Sequence, residues 1–287
     1  MIFSLTGDRP AEETAREFLF HLLQEAVEVL GLVEEQPDHV VHELRRSNKR
    51  IRGLLRLFRH AMNRDSIRLV DRKVRDAAKC FAEVRDAFVL TEVAVAVRDR
   101  AGIEGEEAES VIGELSEVHQ SHVQHLSLPA LAAEVGCHFG EVIGLVESWK
   151  WPTLDPEVFF EGMIRLYRRG RKEFRHVEKT RSEEDFHVLR KRAKYLSFHA
   201  DWLRDENPIV LGDVAEKSAE LATLLGDHHD LAVFADRMVE LGERHPASGA
   251  FSEVTRVWQS EIEEDCLAKG ADFYRGKPRS RAVEWFG

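Results

Sequence analysis

One short pattern of residues occurs twice in this chain, and its spacing restricts the surrounding structure to α-helix. The pattern is His-x2-Arg-x3-Lys, and it is formed by His42, Arg45 and Lys49 and, 145 residues later, by His187, Arg190 and Lys194. Steps of three and four residues return to the same face of an α-helix, so each copy is predicted to align one imidazole and two cations in a stripe. The repetition predicts a chain built by duplication of a helical unit.

The first stripe continues beyond the repeated pattern, through Arg52, Arg56 and Arg59. A straight helix drifts only about 20° per heptad against this alternation of steps, so these side chains stay on one side of the helix. With a rise of about 1.5 Å per residue, a charge recurs every ~5 Å along the axis. Such a row repels itself unless an anion meets it, and it suits a linear anion that is charged along its whole length. The stripe therefore predicts a polyanion ligand.

Two further rows extend the predicted basic surface. The second stripe stops at Lys194, because Ser197 and Asp201 take its next two positions. The preceding helix supplies a row with the same spacing, formed by Arg165, Arg168, Lys172, Arg175 and Lys179. The helix after the first stripe carries another row, formed by Arg68, Arg72, Arg75 and Lys79. Arginine offers a planar fork to phosphate oxygens and lysine offers a point charge, so these rows favour a ligand rich in phosphate.

The charge of the chain is distributed unevenly. The formal net charge is −11 over 287 residues, yet residues 42–79 hold 13 Lys/Arg against 4 Asp/Glu, and residues 164–204 hold 13 against 6. Positive blocks within an acidic chain predict a local electropositive surface on an anionic body. The acidic remainder disfavours non-specific wrapping by duplex nucleic acid. The basic blocks are therefore interpreted as a binding surface and not as solvated helix faces.

Helical periodicity dominates the sequence, and strand alternation is absent. Helices are predicted at 10–33, 38–62 (with Asp38 as N-cap), 65–100, 105–126, 129–149, 156–179, 183–205, 209–242 and 249–270. Two prolines and a loss of periodicity at 149–156 predict a boundary between two halves. The predicted fold class is all-α, with tandem pseudo-symmetric four-helix bundles at 1–150 and 151–287 that share a basic groove. Trp285 and Phe286 are expected to pack back onto the body.

Other features of the sequence predict a cytoplasmic protein. The three cysteines, Cys80, Cys137 and Cys266, lack zinc-site spacing and are typical of free thiols in a reducing compartment. The N-terminal ten residues lack the cationic start and long apolar run of a signal peptide. No window approaches the ~20 apolar residues of a membrane span, so no membrane association is expected.

Residues 226–230, Gly-Asp-His-His-Asp, suggest an alternative function. A metal-dependent helical phosphohydrolase could use His228, His229 and Asp230, although the upstream histidine and downstream aspartate of such a site have no distinctive match. The other interpretation is structural: Asp230 pairs with a nearby arginine and orients it. The second interpretation is favoured here, and no metal ion or other cofactor is expected.

A dinuclear metal site and a nucleic-acid scaffold are further alternatives. The Glu-x-x-His spacing of bundle di-metal sites occurs at 173–176 and 184–187, but both copies are surrounded by arginines that repel a divalent ion. A helical scaffold for RNA or DNA would need aromatic residues between the cations for base stacking, and the basic stripes have none. No specific nucleic acid is therefore expected as a partner.

The duplicated motif resembles that of the conserved-histidine α-helical domain, or CHAD domain. The resemblance rests on the two copies of His-x2-Arg-x3-Lys, on Tyr-Arg-Arg-Gly-Arg at 167–171, and on the neighbourhoods of Arg85-Asp86 and 224–227. It implies two pseudo-symmetric four-helix bundles that bind inorganic polyphosphate in a central basic groove. It also implies association with polyphosphate granules, and neither a metal requirement nor catalysis.

The basic rows and this resemblance together give the expected polyphosphate-binding residues. They are His42, Arg45, Arg46, Lys49, Arg52, Arg56, Arg72, Arg75, Lys79, Arg165, Arg168, Arg171, Lys172, His187, Arg190, Lys191 and Lys194. The resemblance implies that the first copy of the motif lines one side of the groove and the second copy the other, with Arg168 and Arg171 between. No residue is expected to be catalytic.

Overall fold

A computed structural model describes residues 3–5, 9–242 and 244–287, and within these ranges the chain forms eleven α-helices and no strand. The predicted all-α class is confirmed. The N-terminal half contains α1 (Ala11–Glu28), α2 (Pro37–Phe58), α3 (Arg64–Lys79), α4 (Ala82–Ala101), α5 (Glu106–His125) and α6 (Leu128–Glu147). The prediction that no signal peptide is present falls partly on residues 1–2 and 6–8, which lie outside the described ranges.

The C-terminal half begins with α7 (Glu157–Thr180), α8 (Glu183–Trp202) and α9 (Pro208–Leu241), and continues with α10 (Ser248–Phe273) and α11 (Pro278–Phe286). Helix α9 packs against both α8 and α10, and α7 packs against α8. Helix α11 covers one side of α7, where the Trp285 ring lies 5.2 Å from the Tyr167 ring and Phe286 stacks on Phe160 at 4.3 Å. The predicted packing of the two C-terminal aromatic residues is confirmed.

Two details of the predicted helices were wrong. The single helix at 65–100 is two helices, α3 and α4, separated at Cys80 and Phe81. The apolar period continues through the break, because Phe81 is itself buried, but α3 packs on α6 whereas α4 packs on α5 and α9. Asp38 is not the N-cap of α2, which begins at Pro37, because the fixed φ of proline suits the first helical position.

Helix α2 lies at the centre of the molecule, in contact with α1, α3 and α4 and, across the two halves, with α7 and α8. Its crossing with α7 is very close: a Cβ on Gly162 would lie 1.8 Å from the carbonyl oxygen of Leu57. Against α8, the carbonyl oxygen of Gly53 lies 2.9 Å from Nε2 of the fully buried His199. These contacts place the first basic stripe between the two halves.

One helix is apolar enough to cross a membrane by length and composition, contrary to the expectation from sequence. It is α6, with a mean hydropathy of 1.2, and no other helix in the described ranges meets this criterion. Its buried residues, including Val135, Phe139 and Val142, belong to the main core, and the helix packs against α3 and α1. Core helices meet the same criterion, so this finding is weak support for a membrane span.

Candidate functional site

The basic stripes of α2 and α8 meet at one cavity of about 430 Å³, named here the central cavity. Its basic lining comes from both halves of the chain: His42, Arg45, Arg46, Lys49, Arg85, Arg190 and Lys194. Two acidic residues, Asp38 and Glu92, also line it. The structure therefore brings together cations of the two motif copies that are 145 residues apart in sequence.

Acidic side chains neutralise only part of this charge. One carboxylate of α9, Asp230, lies 3.6 Å from Nη2 of Arg85 and 4.0 Å from Nη1 of Arg190, so two arginines share it. The predicted pairing of Asp230 with a nearby arginine is confirmed. Within the part of the chain that the structure describes, three cations of the cavity have no ion-pair partner: Arg45, Lys49 and Lys194.

Burial and repulsion between neighbouring cations lower the pKa values of the basic residues in the central cavity. Burial, together with repulsion from Arg190 and Arg45, lowers the pKa of Lys49 to about 7. Burial also lowers the pKa of Arg45 to about 10, and it lowers the pKa of Lys194, with Arg190 as the next cause. Because the charged forms are disfavoured in the free protein, a polyanion that supplies negative charge here would relieve an existing strain.

Two more basic cavities follow α2 toward its C-terminal end. The arginine cavity, of about 360 Å³, lies between α2, α7 and α8. Among the described residues, its lining includes no acidic side chain and consists mainly of His60, Arg56, Arg59, Arg165, Arg168, Arg169 and Arg192. The α3 cavity, of about 300 Å³, shares Arg56 and Arg59 with it and adds Arg68, Asp71, Arg72 and Arg75. The two cavities are therefore neighbours, with Arg56 and Arg59 in the lining of both.

The arginines of these cavities are held in place by a few carboxylates. Asp71 accepts a hydrogen bond from Nε of Arg52 at 2.9 Å and from Nη1 of Arg56 at 3.1 Å. Burial opposes ionisation of Asp71, but Arg56 and Arg52 outweigh it and lower its pKa, so the carboxylate stays charged. Arg192 lies 3.7 Å from Glu173. No ion pair forms, among the described residues, for Arg59, Arg168 or Arg169.

Six of the predicted residues line none of these three cavities: Arg52, Lys79, Arg171, Lys172, His187 and Lys191. Arg52 is turned toward Asp71, and Lys79 is paired with Asp76 at 2.9 Å. Arg171 donates from Nε to the carbonyl oxygen of Tyr274, at 2.9 Å. Lys172 and Lys191 are exposed on their helices. These positions depart from the stripe prediction because the helices face different neighbours along their length.

The histidines of the two motif copies lie in different environments. The side chain of His42 is 78% exposed. The ring of His187 lies against that of His229 on α9, with 4.3 Å between the centroids, and burial lowers the pKa of His187 to about 4. His187 is therefore uncharged near neutral pH. The two copies of the motif are alike in sequence but differ in how they present the imidazole.

The sequence prediction missed three arginines that line the cavities. Arg85 lies on no basic row, and Arg169 and Arg192 each lie beside a row and not on it, so the spacing does not predict them as site residues. A helix that packs in the groove between two others has side chains on both flanks of its buried face, and not only along one stripe. Adjacent pairs of cations, such as Arg168-Arg169, were the available signal.

The proposed phosphohydrolase residues do not converge on one point. His228 is buried with Nε2 at 3.1 Å from Oε1 of Glu263, His229 lies against His187, and Asp230 faces the two arginines. In the described ranges, the side chains close enough together to hold a metal ion are Cys80, Glu134 and His138, between α3 and α6. That group shares no residue with the three basic cavities.

Comparison with known proteins identifies the family. The family model described as the CHAD domain matches residues 13–239. The chain belongs to the CHAD domain family. The matched range includes both copies of the motif and ends within α9. Helices α10 and α11 therefore lie beyond the matched range. The resemblance seen in the sequence is thereby confirmed.

Solved structures share the CHAD fold at low sequence identity. PptA from Streptomyces chartreusis is 14% identical with a TM-score of 0.65, and the alignment covers 93% of this chain and all of that chain. The CHAD domain from the plant Ricinus communis is 15% identical with a TM-score of 0.59, and the alignment covers 96% of each chain. At this identity the likeness shows a common fold. No curated protein matches this CHAD domain.

Proposed function

We propose that this CHAD domain binds inorganic polyphosphate, without catalysing its turnover, in the groove formed by the central, arginine and α3 cavities. The observation that carries the proposal is the meeting of Arg45 and Lys49 from α2 with Arg190 and Lys194 from α8 in one cavity. Burial lowers the pKa of all four cations, so a nearby anion would stabilise their charged forms. Phosphate oxygens supply dense negative charge and accept from both arginine forks and lysine.

The length of the basic surface favours a linear ligand over a compact one. Ten residues separate Lys49 in the central cavity from Arg59 in the arginine cavity, which corresponds to about 15 Å along the axis of α2. A single phosphate or carboxylate would neutralise the cations at one end of this row, and the cations at the other end would still repel one another. A chain of phosphates would neutralise the entire row.

Nucleic acid is disfavoured by the state of the aromatic rings beside the cations. The guanidinium of Arg56 lies 4.4 Å from the ring centroid of Tyr195, and Nζ of Lys194 lies 5.2 Å from that of Phe198. Both rings thus have a face occupied by a cation, and Tyr195 is buried. Base stacking needs an open ring face, so a ligand without bases fits this groove better.

The absence of catalysis and a cytoplasmic location at polyphosphate granules are parts of the same proposal. The positive surface follows the groove, and no metal-ligand group lies on it in the described residues. A granule would present many polyphosphate chains to such a groove at once. Recruitment would then follow from affinity alone.

The decisive experiment measures binding of the purified protein to polyphosphate, single-stranded RNA and duplex DNA at matched salt, with a phosphate-release assay beside it. Arg45→Glu and Arg190→Glu should each abolish most polyphosphate binding with helical content unchanged. Arg256→Glu, an exposed residue of α10 outside the basic cavities, is the control for charge reversal and should bind normally.

The salt dependence gives a second readout of the same experiment. Counterion release predicts a log–log slope of roughly −0.7 per phosphate contact, with the value for single-stranded nucleic acid as a stand-in. Tight binding with a slope near zero, or stronger binding of RNA than of polyphosphate, would contradict the proposal.

A further inference from the structure

A fourth basic cavity, the tail cavity, lies where α7 meets the first turn of α11 and the residue that precedes it, Lys277. It has a volume of about 700 Å³ and is lined by Arg168, Arg171, Arg175, Lys277, Pro278, Arg279 and Ser280. No acidic residue lines it within the described ranges. Four of its seven lining residues lie beyond position 239, where the family match ends.

The cations of the tail cavity lack the neutralisation that their neighbours have. Arg275 pairs with Asp272 at 3.1 Å, and Arg281 pairs with Glu284 at 2.7 Å. By contrast, five cations that line the cavity form no ion pair in the part of the chain that the structure describes: Arg168, Arg171, Arg175, Lys277 and Arg279. In the sequence, two paired arginines, Arg275 and Arg281, flank two unpaired cations, Lys277 and Arg279, that line the cavity.

The segment that carries Lys277 and Arg279 is fixed against α7. The hydroxyl group of Tyr167 donates to the carbonyl oxygen of Gly276 at 2.9 Å, immediately before Lys277. At the other end of α11, Trp285 is 1% exposed and packs edge-on against Tyr167. A cation on an anchored segment loses less conformational entropy when it binds an anion than one on a free tail.

The tail cavity is next to the arginine cavity. Arg168 lines both the arginine cavity and the tail cavity, and Arg175 lies seven residues further along α7, about 10 Å along its axis. From this geometry, and resting on the proposed function, we infer that the tail cavity is a second phosphate-binding subsite. It holds the part of a long polyphosphate chain that extends past the arginine cavity. A short polyphosphate chain binds within the groove formed by the central, arginine and α3 cavities and does not reach the tail cavity.

The test compares a short and a long ligand, tripolyphosphate and long-chain polyphosphate. Lys277→Gln combined with Arg279→Gln should leave tripolyphosphate affinity unchanged. It should weaken long-chain binding by about tenfold at low salt and reduce the salt slope by about 1.4, the value for two lost contacts. The control removes two charges that do not line the cavity, by Arg275→Gln with Arg256→Gln, and should change neither affinity.

Arg175→Gln, from the opposite wall, provides an independent variant on a helix that is already held by its buried face. It should also weaken long-chain binding alone. The inference is overturned if the double variant and Arg175→Gln bind long chains as the unmodified protein does, or if both ligands weaken equally. If the unmodified protein binds neither ligand, the proposed function fails first, which distinguishes the two failures.

Discussion

The guanidinium of Arg190 lies over the backbone of Gly226 on α9, where a Cβ would be only 3.2 Å from Arg190 Nη2. This contact links the second motif copy to the Gly-Asp-His-His-Asp segment. The contact explains why a glycine stands in the middle of a 34-residue helix, where glycine is less favourable than alanine by roughly 1 kcal/mol. The absent side chain makes room for a cation that lines the central cavity.

Gly226→Ala should therefore separate stability from binding. Alanine improves helix propensity, so the free energy of unfolding should stay level or rise by up to about 1 kcal/mol. The guanidinium must shift, and polyphosphate affinity should fall several-fold. Gly212→Ala, on the same helix with only Arg204 Nε at 4.0 Å, should gain the same stability and bind normally. Calorimetry of unfolding and of binding on both variants checks this; equal affinities would contradict it.

Binding should weaken as the pH rises above about 7. Lys49 has a pKa of about 7 in the free protein, and a bound polyanion stabilises its charged form and raises that pKa. Binding then takes up a proton in the window above pH 7, so affinity falls there by at most tenfold per pH unit. Titration calorimetry in buffers of different ionisation enthalpy measures this proton uptake.

Lys49→Arg is the matched variant for the pH effect, because guanidinium stays charged throughout this range. Its affinity should be nearly flat between pH 7 and 9, where that of the unmodified protein declines. An unchanged slope in Lys49→Arg would assign the titration to another group. Without ligand, the unfolded chain holds the Lys49 proton more tightly, so the unmodified protein should become more stable from pH 7 toward 10.5, the ordinary lysine pKa.

Asp230→Asn should lower stability, and we expect neither the unmodified protein nor this variant to release phosphate. Removal of the carboxylate shared by Arg85 and Arg190 should lower the free energy of unfolding by about 1–3 kcal/mol. Polyphosphate should raise the melting temperature of the variant by more than it raises that of the unmodified protein. Asp213→Asn, at an exposed pair with Lys217 on the same helix, should have little effect. Phosphate release that requires a divalent ion and disappears in Asp230→Asn would favour the phosphohydrolase instead.

Periodicity was sufficient to predict most helices and their class, because each buries one continuous apolar stripe. It could not predict the break at Phe81, where the apolar period runs on without interruption and only the choice of packing partners differs. Nor did it identify α11, whose nine residues carry a single buried side chain, Trp285. Short helices of this kind depend on tertiary contacts that local sequence does not encode.

The candidate site was predictable to the extent that one helix face determines it. Arg45 and Lys49 were placed with Arg190 and Lys194 because the motif copies share a spacing, and the structure brings the four together. The ion pair of Lys79 with Asp76 depends on a local rotamer. The bond from Arg171 to the Tyr274 carbonyl depends on contacts between distant segments, which stripes do not reveal.

The close crossing of α2 and α7 at Gly162 has a consequence for how the molecule unfolds. The predicted boundary at 149–156 lies between Leu57 and Gly162 in the sequence, but these two residues approach to a distance that no other residue type at 162 would permit. If either half unfolded alone, the other half would lose packing contacts that stabilise it. The chain should therefore melt in one cooperative transition, with its ligand groove existing only while both halves are folded.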